Sequence, residues 1–309
     1  MLRGALESTN LFIENPLFGS HFTERIPQFF YTNSLYIQQL LLPYDLNFYY
    51  GYNAIPILNY TSFLFMVSLI LFLIWMGFAL YKFKQKSLYS FGILFFFLAI
   101  GGASNLLYPM VGIYAERLAF TASLGFVIAI TYLLFLLFRV PLTAKITALN
   151  KNKLPYLLLL LITLSSFAVI KRNPAWESKK SLYQSDMDDL QSSAKANSLM
   201  GQEYQFESTQ IALSNPMQIK EIINVGTSAN FYYSRALQVY PNYTEILNNQ
   251  ASLQATVFLN PLAARRLFNE AISIDPFYLE GQEHLILNEI AINKLYQRVN
   301  TVKNNQSSL

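Results

Sequence analysis

Cysteine is absent from all 309 residues. That single absence excludes disulfides, thiolate metal sites, CxxC redox chemistry and a cysteine nucleophile. Histidine is almost missing too: His21 and His284 lie far apart in sequence, so a multi-histidine metal site is disfavoured and no metal is expected. Charge is scarce. Asp, Glu, Lys and Arg make up 13% of the chain, against about a quarter in a soluble domain. No nucleophile elbow, phosphate loop, HExxH or dinucleotide fingerprint occurs either. What is abundant is apolar: 53% of residues are hydrophobic and 16% aromatic, which rules out a disordered chain and argues against an ordinary soluble enzyme.

The net charge of +4 and the isoelectric point of about 9.0 would suit nucleic acid only if the basic residues clustered on a soluble face. They do not. Residues 1–170 hold ten Lys/Arg and five Asp/Glu, and residues 171–309 hold twelve and thirteen. The surplus lies in the half with long apolar runs, which is a membrane pattern, and no nucleic-acid partner is expected.

A helix needs about 20 apolar residues to cross the hydrocarbon core. Four segments are expected to do so: 62–81, 87–108, 118–138 and 154–170, the second softened by Gly101-Gly102 and the fourth the shortest. Orientation follows from Lys and Arg in short loops. Lys82, Lys84 and Lys86 in one loop, and Arg139, Lys145, Lys151 and Lys153 in another, place both loops in the cytoplasm. By parity, the start of the chain and everything after residue 170 lie on the other side.

Residues 1–60 lack the apolar core of a signal peptide and read as an extracytoplasmic loop. Within it, residues 29–42 form an apolar-faced helix that stops at Pro43 and leads into Phe48-Tyr49-Tyr50-Gly51-Tyr52, an interfacial element with tyrosines at headgroup level. A fifth span at 29–43 is the alternative, and would put the N-terminus inside. Because nothing visible carries the first residues outward, an upstream membrane half is expected, on the same polypeptide or supplied separately.

Past Trp176 the composition becomes that of a soluble domain, and a repeat emerges. Ala229, Tyr233, Ala236 and Pro241 recur as Ala264, Phe268, Ala271 and Pro276, 35 residues later with the same spacing. This small/aromatic/small/Pro series fits the second helix of a tetratricopeptide repeat, in which small residues let helices approach and proline ends the helix. First helices are expected at 193–205 and 243–257. An irregular insertion with Pro216 and Gly226 separates the first pair, and a capping helix covers the stack at 279–298. His284 in the cap reads as structural. The expected fold is therefore all-α, a polytopic transmembrane bundle followed by a small tetratricopeptide-like α-solenoid. Its domains are 1–60 (loop with interfacial helix), 61–170 (four spans) and 171–309 (extracytoplasmic repeats offering a concave surface to a protein or peptide).

Three blocks resemble one family, the multi-spanning membrane proteins with C-terminal tetratricopeptide repeats that include the transmembrane O-mannosyltransferases and their bacterial relatives. They are Asn15-Pro16 with the run to LLLPYDLNFYYGYNAIP, then SNLLYPMVGIYAERLAFTASLGF from Ser104 to Phe126, then Lys171-Arg172-Asn173-Pro174-Ala175-Trp176 with Leu182 and Tyr183. The resemblance covers about residues 13 to 300. It implies a glycosyltransferase that moves a sugar from a polyprenyl-phosphate donor to an acceptor outside the cytoplasm. It also implies a catalytic acid in a first extracytoplasmic loop that precedes this chain, so the catalytic residues of the chain itself stay unassigned.

Among the residues present, Glu116 and Arg117 stand at the outer end of the third span. An arginine there can hold a phosphate bidentately, and the carboxylate can fix it or take a proton from an acceptor hydroxyl. The bland alternative has Arg117 snorkelling to lipid headgroups and Glu116 as a solvated helix-start residue. Arg172 and Trp176, just outside the fourth span, are further donor-binding candidates, with Trp176 equally an interface anchor. Glu14, Glu24 and Asp45 are other outer acids whose spacing does not demand convergence. The transferase reading predicts that Glu116 and Arg117 line a cavity opening to the outer leaflet. A scaffold that displays the repeats without chemistry, the competing function, predicts that this pair faces lipid headgroups and that no cavity exists. A transporter is disfavoured because no span carries a charge in its apolar core. The composition suits a bacterial inner membrane with a periplasmic tail. The alternative is an endoplasmic reticulum with a lumenal tail, where Asn59, Asn242 and Asn305 would be glycosylation acceptors.

Overall fold

The computed structural model describes residues 11–43, 46–143 and 152–307. The expected loop residues Asp45, Lys145 and Lys151 lie outside them. Among the described residues every regular element is helical and no strand occurs. They gather into two compact units, one spanning Leu11–Ser181 and one beginning at Leu182.

The first unit holds α1 (Phe22–Leu41), α2 (Phe63–Phe83), α3 (Leu88–Ile100), α4 (Phe120–Leu137) and α5 (Leu154–Arg172). Three segments are long and apolar enough to cross a membrane: Phe63–Phe83, Glu116–Leu137 and Leu154–Glu177. The expected second span is the exception. Its α-helix stops at Ile100 and a 3-10 turn adds only Gly101–Ala103, so its 13 α-helical residues rise about 20 Å where the hydrocarbon core is about 30 Å thick. The cause is local: two glycines with poor helix propensity meet Ser104, whose Oγ donates to the Gly101 carbonyl at 2.6 Å. Asn105 then takes a left-handed φ of 61° and turns the chain.

Helices α3 and α4 cross with their backbones almost touching. A Cβ built on Gly92 would stand 2.5 Å from the Gly125 carbonyl oxygen, and one on Gly125 would stand 2.5 Å from that of Gly92. Lipid supplies no hydrophobic force between helices, so close approach over small residues is what binds them. Trp75 of α2 stacks on Phe126 of α4 at 6.1 Å, and the Ser90 hydroxyl donates to the Ala79 carbonyl at 2.6 Å. Helix α1 begins seven residues before the expected start and packs along α2. Its buried face is polar, with Gln28, Thr32 and Asn33 inward beside Tyr36. Ser34 and Ser68 hydrogen-bond across to α2 at 2.9 Å. Helix α5 is the least buried, with 6% of its apolar stretch inside.

In the second unit α7 (Ala194–Ser214), α8 (Ile219–Val239), α9 (Thr244–Thr256), α10 (Pro261–Ile274) and α11 (Leu279–Ser307) each pack on the next. The short helix α6 (Lys179–Asp186) precedes them. Ala229, Ala236, Ala264 and Ala271 are fully buried, as is Tyr233, and Phe268 is nearly so. Gly201 makes room for Tyr233, since a Cβ there would meet its ring at 2.6 Å. Pro241 and Pro276 stand just past α8 and α10. The residues before them, Tyr240 and Asp275, hold φ near −139° and −128° with ψ of 91°. A proline ring clashes with an α-conformation in the residue it follows, and Leu42 before Pro43 and Asn215 before Pro216 end their helices in the same way. The irregularity expected after Gln205 takes the form of extra length, α7 running to 21 residues where α9 has 13. It is absorbed as helix, because 206–214 contains neither Gly nor Pro and α7 simply continues to Ser214.

Candidate functional site

The residues preceding α4 form a buried knot. Asn105, fully buried, donates through Nδ2 to the Ile113 carbonyl at 2.6 Å. Its Oδ1 accepts from the Met110 amide at 3.0 Å and from Asn15 Nδ2 at 2.8 Å. Asn15 also donates to the Met110 carbonyl at 2.8 Å and accepts the Leu17 amide. Two asparagines 90 residues apart thus latch the loop 106–113 to the start of the described chain. Asparagine suits position 105 because it tolerates the left-handed region and carries both a donor and an acceptor. Arg25 adds a clamp from α1, donating to the Leu107 carbonyl at 3.1 Å.

On this base rests a cluster of tyrosines. The segment 49–52 runs between the latch and α1: the Tyr52 amide donates to the Ile13 carbonyl and the Ile113 amide to the Tyr50 carbonyl. Neighbouring side chains each hold a carboxylate, Tyr49 Oη donating to Glu14 at 3.2 Å and Tyr50 Oη to Glu116 at 2.6 Å. Tyr50 Oη also accepts the Asn47 amide at 2.7 Å, which fixes its orientation. The Tyr50 ring meets Tyr114 edge-on at 4.8 Å, and Tyr114 lies 4.4 Å from Tyr36. Burial pushes the Tyr36 phenol up to about 12, against the Ala115 amide and the Arg117 charge, which lower it. Burial raises Tyr114 as well, with Tyr50, Tyr36 and Glu116 adding to it. Both stay protonated at neutral pH.

Beside these rings opens a cavity of about 360 Å³, lined among others by Tyr31, Gln38, Gln39, Tyr50 and Tyr114. Tyr31, Gln38 and Leu42 also line a second, apolar groove of about 380 Å³ between α1 and α2. The arrangement is an amphipathic one, with aromatic faces and amide groups at one end and hydrocarbon at the other.

The structure brings Glu116 to this cluster through Tyr50. Arg117 is exposed at the start of the same helix, close enough to act on the Tyr36 charge. Neither is among the described residues lining the cavity, contrary to the expectation that the pair itself lines it; Glu116 meets the lining through the hydroxyl of one residue, Tyr50. Glu14 joins the same loop knot. Glu24 does not: it accepts the His21 amide at 2.8 Å and caps α1. Arg172 ends a different helix, α5, where a last-turn cation suits the helix dipole, and Trp176, 64% exposed, sits in the 3-10 turn that follows. Tyr36, Tyr114 and the Asn15–Asn105 pair were not singled out as site residues by sequence reasoning. The signals were the aromatic stretch 48–52 and the two blocks, starting at Asn15 and at Ser104, that carry the family resemblance. Among the described residues no cluster of three or more His, Asp and Glu could hold a metal.

No family model matches the chain. No solved structure matches it. It is similar to the Protein O-mannosyl-transferase TMTC1 of Mus musculus, 26% identical over 248 residues that are 78% of this chain and 24% of that protein. It is likewise similar to the Homo sapiens protein of the same name, 29% identical over 165 residues, 52% of this chain and 16% of that protein. The chain therefore spans about a quarter or less of the length of the curated relatives it matches, and the relation it carries, at family level, is to proteins of the TMTC type.

Proposed function

We propose that this chain is the C-terminal part of a membrane glycosyltransferase of the protein O-mannosylation type, which uses a polyprenyl-phosphate-linked sugar as donor. The observation that carries the reading is the cavity beside the Tyr50–Glu116 hydrogen bond, continuous in its lining residues with an apolar groove between α1 and α2. A display scaffold has no need of such a cavity. Neutral tyrosines and amides suit sugar hydroxyls, the groove suits a lipid chain, and Arg117 suits a phosphate at the mouth of the bundle. Glu116, oriented by Tyr50, takes a positioning or proton-accepting role, and an upstream membrane half supplies the remaining catalytic groups.

In this reading the second unit is a tetratricopeptide-like solenoid that binds the acceptor protein, in the periplasm of a bacterium. The test is transfer of label from radiolabelled polyprenyl-phosphate mannose in membranes, with this chain alone, with an upstream half co-expressed, and with Arg117→Ala. Label that reaches protein only with both halves and falls with Arg117→Ala supports the reading. Partner capture with no transfer in any combination would leave the scaffold instead.

A further inference from the structure

The second unit contains a trough of about 830 Å³ that the transfer chemistry does not explain. One wall is a stripe on α11, His284, Leu287, Asn288, Ala291, Leu295 and Arg298, spaced three and four residues apart so that all share one face. From His284 to Arg298 this stripe rises about 21 Å, the span of about six residues of extended chain. The opposite wall comes from α9, through Asn249, Ser252 and Thr256, with Phe268 of α10 as part of the floor.

Three features of the trough specify its occupant. Asn288, 5% exposed, donates through Nδ2 to the Pro261 carbonyl at 2.9 Å, but its Oδ1 has no hydrogen-bond partner among the described residues. A buried acceptor left unmade is costly, and the backbone N–H of an extended chain is the donor that fits. The lining includes Lys294 and Arg298, both exposed at one end, and among the described residues no Asp or Glu. The nearest acid in sequence, Glu289, is held elsewhere in a two-point bridge by Arg265. At the rim Leu259, 78% exposed, keeps a left-handed φ of 51°, a conformation a bulky residue seldom adopts, and adds an apolar contact.

We propose that this trough binds an extended peptide segment of about six residues, its backbone N–H on Asn288 Oδ1, an apolar side chain over Phe268 and Leu259, and acidic residues at the Lys294–Arg298 end. The inference rests on the reading of the second unit as the acceptor-binding part, and it specifies the acceptor as acidic.

The test uses the full chain in detergent, incubated with a random hexapeptide library whose retained members are sequenced. Retained peptides are expected to be enriched in Asp and Glu at one end. The preference is expected to weaken about tenfold in the exposed double variant Lys294→Glu/Arg298→Glu, which keeps its melting transition, and to weaken as well at high salt. Retention led by basic or purely apolar peptides, an acid preference that survives the charge reversal, or no retained peptide at all overturns the proposal. Peptide retention is read without sugar transfer, so acid-selective binding together with no mannose transfer even when the upstream half is co-expressed sinks the transferase reading alone.

Discussion

Replacing Asn105 by Ala and, separately, by Gly divides the stability of the loop latch into its two physical parts. Ala removes all three side-chain hydrogen bonds of a fully buried residue and orphans the Ile113 carbonyl and the Met110 amide. Each orphaned group costs about 1–3 kcal/mol. Ala must also hold the φ of 61°, a further cost of about 1 kcal/mol. The expected loss is about 3–7 kcal/mol. Gly loses the same bonds but adopts that φ without strain, so it should be milder than Ala by about 1 kcal/mol. Chemical denaturation of the full chain in detergent, followed by fluorescence of Trp75 in a Trp176→Phe background, reads both losses, because Trp75 stacks on Phe126 inside the bundle. An Asn105→Ala protein as stable as its parent refutes the latch. A Gly variant less stable than the Ala variant refutes the strain argument while leaving the hydrogen bonds standing.

Other outcomes follow from the same contacts. Tyr50→Phe, which frees Glu116, should cut mannose transfer about tenfold or more with little change in the melting transition; equal activity would remove Glu116 from the mechanism. Gly125→Val should prevent α3 and α4 from meeting and abolish the folded bundle, seen as loss of a monodisperse peak in detergent. Phe268→Ala, in the core of α9 to α11, should cost about 3–5 kcal/mol, measurable as a lowered denaturation midpoint. Tyr36 has a folded-state value pushed up to about 12 by burial, above the ordinary 10. Its contribution is therefore fully present below pH 10 and lost as pH rises towards 12, so denaturation midpoints should be flat from pH 7 to 9 and fall above about 10. A fall beginning at pH 8 would contradict this.

The sequence by itself determined the helical class, the apolar segments and the helix ends marked by proline, because these depend on local chemistry. Proline positions are the clearest case: Pro43, Pro216, Pro241 and Pro276 each stop a helix through a clash with the residue just before them, and that clash needs no tertiary partner. The small residues at 229, 236, 264 and 271 were legible for the same reason, since helical periodicity puts them on one face. Hydropathy alone could not show that α3 stops short, because an apolar count does not register the left-handed Asn105 or the Ser104 hydroxyl that turn the chain.

What only the tertiary structure decided is which distant residues meet. Asn15 reaches Asn105 across 90 positions, and Tyr50 reaches Glu116 across 66. Nothing in the spacing of either pair encodes the contact. Glu24 and Glu116 look alike as outer acids in the sequence, yet one caps a helix and the other is held by a tyrosine beside a cavity. A carboxylate's role is set by the groups that surround it, and those are assembled by packing between α1, the tyrosine segment and the loop before α4.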